Sequence, residues 1–218
     1  MLQRLSVLLA GLIGAAMLAG ALRLLAEHGR RDSALAHTAL PYYASADLRP
    51  RWDWLSRRHR VGRFALRDQR GAAFDQAVLD NGPTVVSFFF SACTSVCPVS
   101  TELLLRAQAN LRRTRAGGAP RFLSISVTPQ HDTPQALREY ASKTGLPAEW
   151  RLATGAPGEI AALARRGFFS DVGTLGADGL PVHLNRAFLV DREHHLRGVY
   201  DATRPADIVR LQHDAASL

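Results

Sequence analysis

From residue 61 onward, apolar positions alternate between strand-like runs and helix-like stripes. Val85, Val86, Phe88, Phe89 and Phe90 form a block of β-branched and aromatic residues interrupted only by Ser87, the pattern of a buried strand. Before it, Val61–Arg67 alternates apolar with polar residues and Asp68–Gly71 supplies a turn, which predicts a first strand or hairpin arm. Asn81-Gly82-Pro83 breaks the chain between the two. After Pro98, helical spacing runs through Leu103, Leu104, Ala107 and Leu111 and stops at Gly117-Gly118. Arg121–Val127 reads as the next strand. Thr133 as N-cap and Pro134 at the first helical position predict a helix to Lys143, closed by Gly145. The remainder predicts a short strand at Trp150–Thr154 and a helix over Gly158–Arg166. Two strands follow, Phe188–Asp191 and Leu196–Tyr200, joined by a polar turn, and then a last helix over Pro205–His213. Strands that alternate with helices and end in a hairpin and a helix indicate an α/β fold with a mixed sheet.

The N-terminal sixty residues follow other patterns. Leu5–Leu22 carries no charge, and as a helix it extends about 27 Å, close to the hydrocarbon thickness of a bilayer. Ala19-Gly20-Ala21 resembles a signal-peptidase site, but Leu24 and Leu25 prolong the apolar character past it, which favours an uncleaved anchor. Residues 27–60 lack periodicity and read as a stalk that ends by packing on the domain. Its basic cluster, Arg57, Arg58, His59 and Arg60, suits either anionic lipid headgroups or solvent. The expected organisation is an anchor over residues 1–26, a stalk over 27–60 and a folded domain over 61–218.

Charge sharpens this division. The 218 residues carry a formal charge of +8, and their apolar fraction of 47% is that of a globular chain. Residues 1–70 hold 12 Arg against 5 acids, whereas residues 71–218 hold 15 Lys and Arg against 14 acids. A nucleic-acid surface would load the folded domain with positive charge, so that class is excluded.

Chemistry concentrates at one junction. Cys93 and Cys97, the only cysteines, follow the buried strand and precede Pro98. A helix starting at or just before Cys93 puts both sulfurs on one face, and a helix starting at Pro98 leaves both in the loop at its N-terminus. Either way, the positive end of the helix favours thiolate over thiol. The loop between them is too short for a disulfide to add much stability by loop closure, which points to function. The plan of strand, loop with paired cysteines, helix, then βαβ and a closing ββα is that of a thioredoxin-like fold, although three residues, not two, separate these cysteines. Two thiolates suit Cu(I), and a nitrogen ligand added to them suits Cu(II). Among the eight histidines, His194 and His195 fall in a polar turn where a solvated role is usual, and His131, in a polar loop before a capped helix, stays open as a ligand. His183 follows a loop rich in Gly and Pro and directly precedes a strand, which makes it the stronger candidate.

Several motifs in one order carry a resemblance. Cys93-x-x-x-Cys97-Pro98, the segment Ser126–Pro134 (SVTPQHDTP), Leu152–Gly155, and His183 leading into Phe188–Asp191 together resemble the SCO/SenC family, as does Pro41-Tyr42-Tyr43. The resemblance implies a thioredoxin-like domain behind one transmembrane helix, on the periplasmic side of the bacterial cytoplasmic membrane. It implies copper, Cu(I) or Cu(II), held by Cys93, Cys97 and His183. The implied partners are the copper-bearing subunit of cytochrome c oxidase and other copper chaperones or thiol reductants. Two positions depart from the family pattern, Thr128 and Val182, where Asp is usual. The cysteine pair equally suits a thiol-disulfide oxidoreductase, a role in which Cys93 and Cys97 form a redox-active disulfide and His183 is not needed. A thiol peroxidase fits less well, because no Thr, Gln or Trp stands in a recognised peroxidase motif.

Overall fold

The computed structural model describes residues 39–94, 96–114, 118–172 and 185–218. The expected anchor at Leu5–Leu22 and the candidate ligand His183 lie outside them. Among the described residues, no helix is long and apolar enough to cross a membrane. Pro41–Leu218 forms one compact unit, so the segment 41–60, read from the sequence as stalk, is part of it.

One seven-stranded sheet runs through the unit. Its strands are β1 (Ala65–Asp68), β2 (Ala73–Asp75), β3 (Thr84–Phe89), β4 (Arg121–Ser126), β5 (Arg151–Thr154), β6 (Arg186–Val190) and β7 (Leu196–Asp201), in the order β2-β1-β5-β4-β3-β6-β7. The pairs β3–β4 and β4–β5 are parallel, while β1–β2, β1–β5, β3–β6 and β6–β7 are antiparallel. The helices are α1 (Val96–Thr114), α2 (Pro134–Thr144), α3 (Pro157–Phe168) and α4 (Pro205–Ala216). This is the thioredoxin-like arrangement that the sequence predicts. The three-residue strand β2 and the 3-10 turns Trp54–Arg58 and Gln76–Leu79 have no counterpart in the sequence reading, being too short to show a period.

Right-handed crossovers explain the layers. β3-α1-β4 and β4-α2-β5 step the same way across the sheet, so α1 and α2 share a face. There Phe89 packs on Tyr140 of α2, whose hydroxyl lies 3.1 Å from Thr101 Oγ1 of α1. α3 follows β5 and lies on the opposite face, as the alternate side chains of β3 show. On that face Phe88 meets Phe168 of α3 edge-on at 5.4 Å, and both contact Phe188. Every residue of β3 is buried, as a strand covered on both sides requires. Thr133 caps α2 through Ala136 N–H, and Gly145 closes the helix at φ 67°, a conformation that an L side chain resists.

The segment 41–61 covers the face that carries α3. Tyr42 bridges Arg51, Tyr43 N–H donates to Leu196 O (2.9 Å), and Val61 N–H donates to His194 O (2.9 Å). His59 Nε2 lies 3.0 Å from Gly167 O. The Arg197 guanidinium sits 4.1 Å from the Tyr42 ring centre and donates to Pro41 O.

On the face that carries α1, Gly198 leaves room for Tyr200, whose hydroxyl donates to Asp214 Oδ2 of α4 (2.8 Å). A Cβ at residue 198 would overlap the Tyr200 ring. Gly198→Ala is therefore expected to lower stability by about 2 kcal/mol and Tm by roughly 4–8 °C. An unchanged Tm in a thermal melt would show that Tyr200 has another rotamer open to it.

Candidate metal centre

The cysteine junction is built by the exit of the chain from β3. Cys93 N–H donates to Phe90 O (3.2 Å), which turns the chain, and α1 begins at Val96. This start falls between the two expected from the sequence, so Cys97 is the second residue of the helix and Cys93 lies outside it. Cys93 Sγ accepts Cys97 N–H at 3.4 Å. That N–H is one of the donors a helix N-terminus leaves without an intrahelical partner, and Pro98, next in the first turn, has none to satisfy. Both cysteines are buried, 8% and 1% exposed.

Burial overturns one expectation. The Cys97 thiol is pushed up to about 12, chiefly by burial and then by its hydrogen bond to Cys93, with the Asp132 charge adding to the effect. The helix terminus does not make Cys97 a thiolate, because desolvation of the charged form outweighs a partial dipole charge.

A carboxyl group that the sequence reading missed organises the loop. Asp132 is 1% exposed and accepts from Ser91 N–H (3.2 Å), the Ser91 hydroxyl, the Ser126 hydroxyl and Thr128 Oγ1 (3.1 Å). It thus ties the end of β4 to the loop that carries Cys93. Thr128, one of the two departures, donates to this acid, so a carboxyl group does stand in the loop, four residues on. The signal was present in SVTPQHDTP, but an Asp beside a helix cap normally reads as local capping.

The described histidines lie elsewhere. His131 is exposed in a tight turn, its N–H donating to Thr128 O (2.9 Å). His194 pairs with Asp80 (2.6 Å). His195 is buried, contrary to the solvated role expected of it, with Nδ1 3.2 Å from Asp191 Oδ2 and no hydrogen-bond partner for Nε2 among the described residues. Asp191, Glu193 and His195 bring potential ligand atoms within 4.8 Å of one another. The Arg197 guanidinium, 3.0 Å from Asp191 Oδ2, holds the positive charge that a cation would bring, so this cluster is a clamp for the β6–β7 turn. The described part of the candidate centre is therefore two thiols beside a helix N-terminus with a buried acid behind them, a soft donor pair that fits copper.

The SCO1/SenC family model matches residues 55–214. The chain belongs to the SCO1/SenC family. An SCO2-like protein of Rickettsia conorii is 33% identical over 79 residues, and the match covers 36% of this chain and 38% of that protein. The chain thus spans well under half of that relative's length. Bradyrhizobium japonicum ScoI, solved with copper bound, is 27% identical with a TM-score of 0.52, the alignment covering 68% of this chain and 97% of that one. BsSco, a member of the Sco family of cytochrome c oxidase assembly proteins described as having a disulfide switch, shares the fold. Its TM-score is 0.62 at 23% identity, with 73% of this chain and 95% of that one covered.

Proposed function

We propose that this SCO1/SenC protein is a membrane-anchored, periplasm-facing copper chaperone. In this reading it accepts copper, as Cu(I) or Cu(II), on Cys93, Cys97 and His183 and passes it to the copper-bearing subunit of a cytochrome c oxidase. The observation that carries the reading is the buried cysteine pair joined across the start of α1, with Cys93 Sγ accepting Cys97 N–H. The copper-bound relative and the oxidase-assembly relative support it. Each thiol gives its proton to water as it becomes a ligand, so uptake is pH-dependent and requires the reduced pair. Release proceeds by exchange, an incoming ligand of the recipient replacing one ligand of the donor, so copper need not pass through water.

Copper binding and oxidase assembly test the reading together. Cys93→Ala and Cys97→Ala should abolish binding of both oxidation states. His183→Ala should abolish Cu(II) binding and leave weak Cu(I) binding to the two thiolates. In cells, Cys93→Ala and His183→Ala should both block oxidase assembly, with partial rescue by added copper. If only the cysteine variant fails, thiol-disulfide exchange replaces copper delivery as the function. The anchor is tested separately, by recovery of the intact Leu5–Leu22 peptide from the membrane fraction.

A further inference from the structure

The surface formed by residues 49–60 lies outside the metal centre and has a composition of its own. Trp54 is 69% exposed, Leu55 51% and Trp52 50%. They are held in place by structure. Trp54–Arg58 is a 3-10 turn, and its cap, Asp53, accepts from Ser56 N–H (3.0 Å) and from the buried Ser56 hydroxyl (2.9 Å). The turn lies between the Tyr42–Arg51 bridge and the Val61–His194 hydrogen bond, both of which fasten the segment to the rest of the unit. Around these apolar side chains stand Arg49, Arg51, Arg57, Arg58 and Arg60, all exposed, against Asp47 and Asp53. The Arg58 guanidinium lies 5.7 Å from the Trp54 ring centre. The sheet and helices beyond residue 70 are nearly neutral, with 15 basic and 14 acidic residues, whereas residues 49–60 hold five Arg against Asp53, half of the formal charge of +8.

Exposed indole and leucine surrounded by arginine match the water–lipid boundary of an anionic bilayer. There indole rings settle at headgroup level and guanidinium groups meet phosphates. Position argues for the same partner. Tyr42, paired with Arg51 beside the patch, is only three residues from residue 39, where the described chain starts. The uncharged Leu5–Leu22 stretch therefore belongs to the segment that joins the unit next to this patch. We infer that Trp54, Leu55, Trp52 and the arginines around them seat the folded unit on anionic lipid headgroups. The unit then makes a membrane contact of its own in addition to the proposed anchor. The position argument rests on the anchor reading, while the chemistry of the patch does not.

Tryptophan emission reports this contact directly, because only Trp52, Trp54 and Trp150 are present and Trp150 is 2% exposed. The full chain is placed in nanodiscs of equimolar phosphatidylcholine and phosphatidylglycerol with brominated acyl chains, and its emission is compared with that in unbrominated discs. Bromine should quench the share of emission that comes from Trp52 and Trp54, and Trp52→Phe with Trp54→Phe should abolish the bromine effect. In phosphatidylcholine alone the quenching should fall. Arg49→Ser with Arg58→Ser should weaken the contact in anionic lipid by on the order of tenfold. A chain that enters the discs yet shows equal emission with and without bromine overturns the inference. So does a chain whose Trp52 and Trp54 respond to polyglutamate and not to lipid, which would make the patch a docking site for an acidic protein. If the chain does not enter discs, the anchor reading fails. Vesicles of the same lipids are then mixed with it, and quenching of Trp52 and Trp54 sustains the lipid contact while its absence overturns it.

Discussion

Asp132→Ala is expected to lower the stability of the metal-free protein by about 3 kcal/mol and its urea midpoint by roughly 1–2 M. The substitution removes the acceptor for Ser91 N–H and for the hydroxyls of Ser91, Ser126 and Thr128, in a site that is 1% exposed. Buried donors left without partners each cost about 1–3 kcal/mol, and relaxation of a shared site makes the sum smaller than the parts. Asp132→Asn keeps the volume but replaces an acceptor oxygen by a donor, so it should cost about 1 kcal/mol or slightly more. Copper affinity should fall with Asp132→Ala even where the protein remains folded, because the Ser91 anchor positions the loop that carries Cys93. A urea midpoint shift under about 0.3 M for Asp132→Ala would show that Ser91 and Ser126 find other partners.

At pH 8, iodoacetamide should alkylate Cys97 of the metal-free protein roughly a thousandfold more slowly than it alkylates the same residue in the unfolded chain. Burial first, and then the hydrogen bond to Cys93, push this thiol from 9.0 up to about 12, and each unit removes a factor of ten in thiolate. The rate should keep rising with pH well beyond 9; a plateau near 9 would refute the assignment. Linkage fixes the sign for stability. The folded state holds the Cys97 proton more tightly than the unfolded chain, so the associated stability is full below the unfolded value near 9. It is lost as pH climbs toward about 12. Burial also raises Tyr43, Tyr140 and Tyr200, which weaken the fold in the same alkaline direction. The Cys97 share is therefore the difference in alkaline slope between wild type and Cys97→Ala. The held proton also weighs against Cys97 as the attacking thiol of a reductase, and it makes copper uptake a proton-releasing step.

Both predictions concern a junction whose parts the sequence displays unequally. The sequence by itself determined the alternation of strands and helices, the buried strand ending near Phe89, the capped start of α2 at Thr133 and the isolated cysteine pair. Each is written in neighbouring residues, as hydrophobic period, turn chemistry or ligand type, and needs no distant contact to read. Residues 41–61 show no period because Tyr43, His59 and Val61 are held by Leu196, Gly167 and His194, partners more than a hundred positions away, and not by bonds within a regular element. His195 reads as a turn residue and is buried because Asp191 fixes it under that segment. The tertiary structure alone decided the state of Cys97. Charge at a helix start and burial against a packed sheet push a thiol in opposite directions, and spacing along the chain carries no measure of burial. Asp132 shows the same division. Its place beside the cap of α2 is local, but its bond to Ser91 crosses from β4 to β3, strands whose parallel pairing brings loops 41 residues apart to one end of the sheet.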